Sequence, residues 1–126
     1  MNGWLLAAGV TAAGVAGVHL VAGHRDPVRP LLTSGLADVP KRTLHAVWHL
    51  VSADLALAAA VLIYLAVEPQ SSGTDLVALF VAVHFIAYSA VFLVITVSAG
   101  WSKPLLRLPQ WMLLLPVAIM SWLGTG

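Results

Sequence analysis

The sequence predicts an all-α integral membrane protein, an antiparallel up-down bundle of four spanning helices in one domain over residues 1–126. Three observations predict it. Of the 126 residues, 60% are hydrophobic and only 9% are charged, where soluble domains carry roughly 25% charged residues. The apolar residues gather into three runs of about 20 residues or more and a shorter fourth, and about 20 suffice for a helix to cross the hydrocarbon core. All six basic residues fall on one side of those runs.

The first run covers about 4–22 and carries no charge. Only Met1, Asn2 and Gly3 precede it, with no basic residue among them. A secretory signal opens with a positive region, so this run reads as a retained span. The second run covers about 43–67, with Asp54 its only charge. Asp38 is expected to cap the helix that Pro40 opens, and Glu68-Pro69 to end it. Ser71-Ser72-Gly73 predicts a short turn, with Thr74 or Ser72 capping the third helix and Asp75 well placed in its first turn. The third run covers about 76–99, closed by Gly100. The fourth covers about 109–123, opened by Pro109 and expected to kink at Pro116. None of the runs alternates as the strands of a membrane barrel do, and no internal repeat is evident.

Arg25, Arg29, Lys41 and Arg42 lie between the first two runs, and Lys103 and Arg107 between the last two. By the positive-inside rule the loops 23–42 and 100–108 are cytoplasmic and both termini lie on the non-cytoplasmic side. Trp48, Trp101 and Trp111 then fall in an inner aromatic belt, Trp4 and Trp122 in an outer one. Pro27 and Pro30 are expected to keep the first loop from forming a long regular helix. Leu31, Leu32 and Leu36 would dip into the interface while Arg25 and Arg29 meet lipid phosphates. The lipid bilayer is thus the first partner. A net charge of +1 without a basic stripe argues against nucleic acid. The absence of cysteine excludes disulfides, thiolate metal sites and cysteine nucleophiles.

Five histidines stand out in a chain so poor in polar side chains. At 1.5 Å per residue, His45 and His49 lie roughly 3 and 9 Å inside the second helix, with His19 at a comparable depth from the same face. His24 lies just beyond the first span. His84 is about 12–13 Å from the outer end of its helix and Asp54 about 16 Å from the cytoplasmic start of its own, both near the midplane. His45 and His49 share a face within about 40°, continued by Ser52, Ala56 and Ala59. Asp54 is about 180° from His45 around that helix. It is free to pair with His84 or a second subunit, or to bond Tyr64, Tyr88 or Ser89.

Three chemistries suit these residues. Imidazoles at i and i+4 can share one metal ion, and His19 is the candidate third ligand beside His45 and His49. Without thiolates, the metals that suit are zinc, copper, iron or nickel. Haem b is the second, with His49 and either His19 or His84 as axial ligands. Proton movement is the third, since histidine titrates near neutrality and Asp54 and His84 sit at membrane depth. Beside these stands a plain reading: His24 and His45 as solvated interfacial groups, His19 and His49 as interhelical hydrogen bonds.

Residues 17–23 read Gly-Val-His-Leu-Val-Ala-Gly, followed by Pro30-Leu31-Leu32, Trp48-His49-Leu50-Val51-Ser52 and Pro109-Gln110-Trp111. Together these motifs resemble an uncharacterised family of small bacterial four-helix integral membrane proteins. The resemblance implies a four-span fold in a bacterial inner membrane and no activity, cofactor or partner. Neither the asparagine-rich motif of small fluoride channels nor the first-span glutamate of small multidrug transporters is present.

Three functions follow as expectations. The first is a membrane-embedded protein with a histidine-ligated metal or haem, serving redox chemistry or a membrane enzyme. The second is a proton-coupled small transporter or channel using Asp54 and His84, which calls for a homo-oligomer. The third is an accessory subunit of a larger membrane complex, docked through the small residues Gly9, Ala13 and Gly17.

Overall fold

The computed structural model describes residues 1–126 and is entirely helical. Helix α1 spans Gly3–Gly23 and passes through a π-helical turn at His24–Val28 into α2, Arg29–Thr33. Then come α3, Asp38–Val67, α4, Ser72–Ser98, the short α5, Pro104–Arg107, and α6, Gln110–Leu123. The α1–α2 rod, α3 and α4 are each long and apolar enough to cross a membrane, while α6 has 14 residues. At the helical rise α6 is about 21 Å long and α3 about 45 Å.

The helix ends have local causes. Asn2 caps α1, its side-chain oxygen accepting from the Trp4 and Leu5 amides at 3.1 Å. Ser71, one residue before the expected Ser72 and three before Thr74, caps α4 and closes a reciprocal capping box with Thr74. Gly100 takes φ +67° just past α4, the left-handed conformation glycine adopts without penalty. Asp38 is not a cap: α3 begins at Asp38 itself, whose carboxylate accepts from Arg42 Nε at 3.3 Å.

The stretch expected as a loop after residue 22 is helical as far as Thr33. Proline breaks an α-helix because it lacks the N–H and crowds the carbonyl one turn back. Pro27 lies within the π turn, whose wider i→i+5 spacing gives its ring room against the carbonyl one turn back. The Arg29 amide resumes the ladder by donating to the His24 carbonyl.

The long helices pack antiparallel. The Asn2 amide donates to the Ala66 carbonyl at 2.7 Å, and its side-chain nitrogen to the Gly124 carbonyl at 2.8 Å. These bonds tie the start of α1 to the ends of α3 and α6. All six basic residues consequently share one end, and Glu68 and Asp75 lie at the other. Helix α1 packs along both α3 and α6, and α6 along α4, whereas α3 and α4 meet over only a short stretch. The core is a spine of small and branched side chains: Leu5, Ala8, Ala12 and Ala16 of α1 against Leu55, Ala59 and Leu62 of α3, with Phe85 and Val117 behind.

The expected docking stripe divides. Gly9 is buried against α3, where a Cβ would fall 2.6 Å from Ile63 Cγ1 and 2.9 Å from the Ile63 backbone nitrogen. Ala13 and Gly17 face outward. A Gly9→Ala substitution must push α1 from α3 and should lower stability by about 1–3 kcal/mol. Gly14→Ala, with nothing within 4 Å of the new methyl, should hold stability or raise it by about 0.5–1 kcal/mol. Unfolding of both variants in mixed micelles checks the contrast.

Candidate functional site

Two polar clusters occur along the bundle. The first lies toward the basic end, around Trp48. His19 stacks on the Trp48 indole with ring centroids 4.8 Å apart and planes 20° apart. Its Nε2 reaches Ser52 Oγ at 3.1 Å and the Trp48 carbonyl at 3.3 Å. Ser52 Oγ itself donates to the Trp48 carbonyl at 3.0 Å. His49 meets the same indole edge-on at 4.8 Å and is exposed. His45 and His49 lie 4.7 Å apart. The structure thus joins His45 to His49, while His19 and His49 each pack on Trp48.

No group of three or more histidine, cysteine, aspartate or glutamate side chains is arranged to hold a metal ion. The physical reason is the face that α3 turns inward. Trp48, Ser52, Leu55 and Ala59 form it, so Ser52 and Ala59 face α1 while His49 and Ala56 point away. His24 is exposed on the π turn.

Trp48 is a packing residue as well as an aromatic near the interface. Its indole nitrogen is buried without a hydrogen-bond partner. It lies against Gly23, where a Cβ would stand 3.0 Å from it. Its structural role was hidden because the positive-inside layout alone accounts for a tryptophan at that depth. The readable signal was Ser52, one helical turn beyond.

The second cluster lies at mid-bundle. His84 Nε2 and Asp54 Oδ2 are 3.0 Å apart across α3 and α4, the pair of helices that otherwise touch little. The two side chains are 27% and 34% exposed, which places the bond in the open seam and not in the core. Tyr88, one turn along α4 from His84, packs on its ring at 4.3 Å. Of the other partners considered for Asp54, Ser89 donates to the Phe85 carbonyl and Tyr64 is exposed near Glu68. His84 is not opposite His49: it is engaged with Asp54, and His49 faces outward.

A cavity of about 570 Å³ connects the neighbourhoods of the two clusters. Asp26, Leu108 and Gln110 line it toward the basic end, His19 and Trp48 line its side, and Tyr88 lines it beside the Asp54–His84 pair. Its origin is the short α6, which begins at Gln110 while α1, α3 and α4 extend further toward the basic end.

No family model matches the chain, and no curated protein or solved structure matches it either. The likeness in short motifs therefore assigns no family, and the functional reading rests on geometry.

The Asp54–His84 contact predicts a measurable coupling. A double-mutant cycle with Asp54→Ala and His84→Ala, read from unfolding in mixed micelles, should give about 1 kcal/mol, typical of hydrogen bonds between helices in membranes. Additivity within about 0.3 kcal/mol would mean that the two side chains do not interact.

Proposed function

We propose that this chain is a four-span protein of the bacterial inner (plasma) membrane in which Asp54 and His84 carry protons, as a proton-coupled small transporter or channel. The observation that carries this reading is the 3.0 Å bond between the two side chains across the open α3/α4 seam. Ionisable groups at membrane depth are costly and mark ion or proton pathways. The gathering of all basic residues at one end supports an orientation with that end cytoplasmic and both termini outside. The fourth crossing is α6, whose about 21 Å is accommodated by local thinning or flanking residues.

The chemistry follows from the pair. The strength of a bond between a carboxyl and an imidazole depends on where its protons sit. With one proton between them, one group donates and the other accepts. A second proton leaves a carboxylic acid facing an imidazolium, and the carboxyl no longer offers the charged acceptor that made the bond strong. Helices α3 and α4 have little else to hold them together there. Proton uptake at Asp54 thereby loosens the seam, and proton release restores it. The cavity supplies the approach from the basic end as far as Tyr88. A homo-oligomer would enclose the outward side of the seam.

Protein reconstituted into liposomes with an internal pH dye should pass protons under an imposed potential. Asp54→Asn and His84→Ala should each reduce that flux by tenfold or more, about the effect of losing one relay group. Unchanged flux in both variants overturns the reading.

A second reading rests on His45 and His49, whose adjacency at 4.7 Å suits a shared zinc, copper or iron ion. His49 faces outward, so further ligands would come from a second copy or a larger membrane complex. In the same reading haem b would draw an axial ligand from His49. Protein purified from the membrane should then carry stoichiometric metal or haem, lost in His45→Ala and His49→Ala. Elemental analysis and an absorption spectrum that show neither contradict it.

A further inference from the structure

The π turn does more than carry α1 past Pro27. On a regular α-helix residues five apart point about 140° from each other. In a turn closed by i→i+5 bonds they come close to register, and the Arg29 amide bonds the His24 carbonyl. The wide turn therefore brings Arg29 onto the side of the rod that carries His24 and Arg25. These three line an open recess of about 630 Å³ with Pro30, Leu32 and Thr33. Asp26 lies on the opposite side, in the wall of the bundle cavity.

Both guanidinium groups are free of protein partners. The ion pairs in the structure are Arg42 with Asp38 and His84 with Asp54, and the side-chain hydrogen bond made by an arginine is that of Arg42. The Thr33 hydroxyl is turned back on the Arg29 and Pro30 carbonyls, so the donors on offer are two guanidinium forks and an imidazole. Planar forks match the oxygens of a phosphate, two at a time. Leu32 and Pro30 add an apolar wall at the end of an apolar rod, where free phosphate has no use for it but the glycerol and upper chains of a lipid do.

We propose that this recess binds the phosphodiester headgroup of an acidic phospholipid, with His24, Arg25 and Arg29 as its ligands. The site requires the membrane reading but not the proton reading, and its test is independent of flux.

The test is lipid retention. Wild-type protein and variants are reconstituted in mixed phosphatidylcholine–phosphatidylglycerol vesicles, extracted in mild detergent and examined by native mass spectrometry. Wild-type protein should keep one phosphatidylglycerol per chain in preference to phosphatidylcholine. The Arg25→Gln/Arg29→Gln variant should lose about 30-fold in apparent affinity, the effect of two basic residues at a membrane surface. Pro27→Ala keeps every charge but removes the reason for the wide turn, and should also weaken retention. Lys103→Gln/Arg107→Gln removes equal charge from the start and end of α5, outside the recess lining, and should change retention by less than about threefold, since it leaves both guanidinium forks in place. Circular dichroism shows whether each variant is folded. Equal losses in the two double variants, or wild-type retention in Arg25→Gln/Arg29→Gln or in Pro27→Ala, overturn the site. Saturation by inorganic phosphate with no preference between the two lipids assigns it to free phosphate and overturns the lipid headgroup.

Discussion

The bundle depends on the close approach of α1 to α3 at Gly9. Hydrophobic burial does little to drive helices together in lipid, so association depends on van der Waals packing, and small residues permit it. Here the Ile63 side chain and backbone occupy the space where a Cβ would stand on Gly9. On the same helix Leu5, Ala8, Ala12 and Ala16 are buried in the shared core. Helix α1 thus serves as the common partner of α3 and α6, and Asn2 ties its beginning to the ends of both.

The open seam follows from that arrangement. With α3 committed to α1 and α4 committed to α6, the short connection between α3 and α4 does not force them into extended contact. The short α6 leaves the basic end of the bundle incompletely filled, and the cavity occupies that space. The Asp54–His84 bond therefore falls between two helices that share few close contacts. In a tightly packed interface the same bond would be a minor addition to the dispersion energy of its surroundings.

How much of this was legible in the residues depends on whether depth or direction was needed. Hydropathy marked the apolar runs, and the helical rise put Asp54 and His84 at similar depth. Direction around the helix was harder. His19, His45 and His49 share a level, but Trp48 and Ser52 occupy the α3 face that meets α1, which turns His49 outward. Nothing in the spacing of three histidines reveals which neighbouring face a large indole will take. The helical stretch after residue 22 is not legible for another reason. The rule that proline ends helices concerns the α turn, and a π turn at Pro27 escapes it.

The central claim is that one polar bond holds an otherwise loose α3/α4 seam. The chain has no cysteine, so spin labels can be introduced cleanly on the exposed residues Leu57 and Val83. Pulsed electron spin resonance in bilayers then reads the distance between α3 and α4 near the pair. The account predicts a single narrow distribution at neutral pH that lengthens and broadens in Asp54→Asn. An identical narrow distribution in that variant would contradict it, since the seam would then be held by something else.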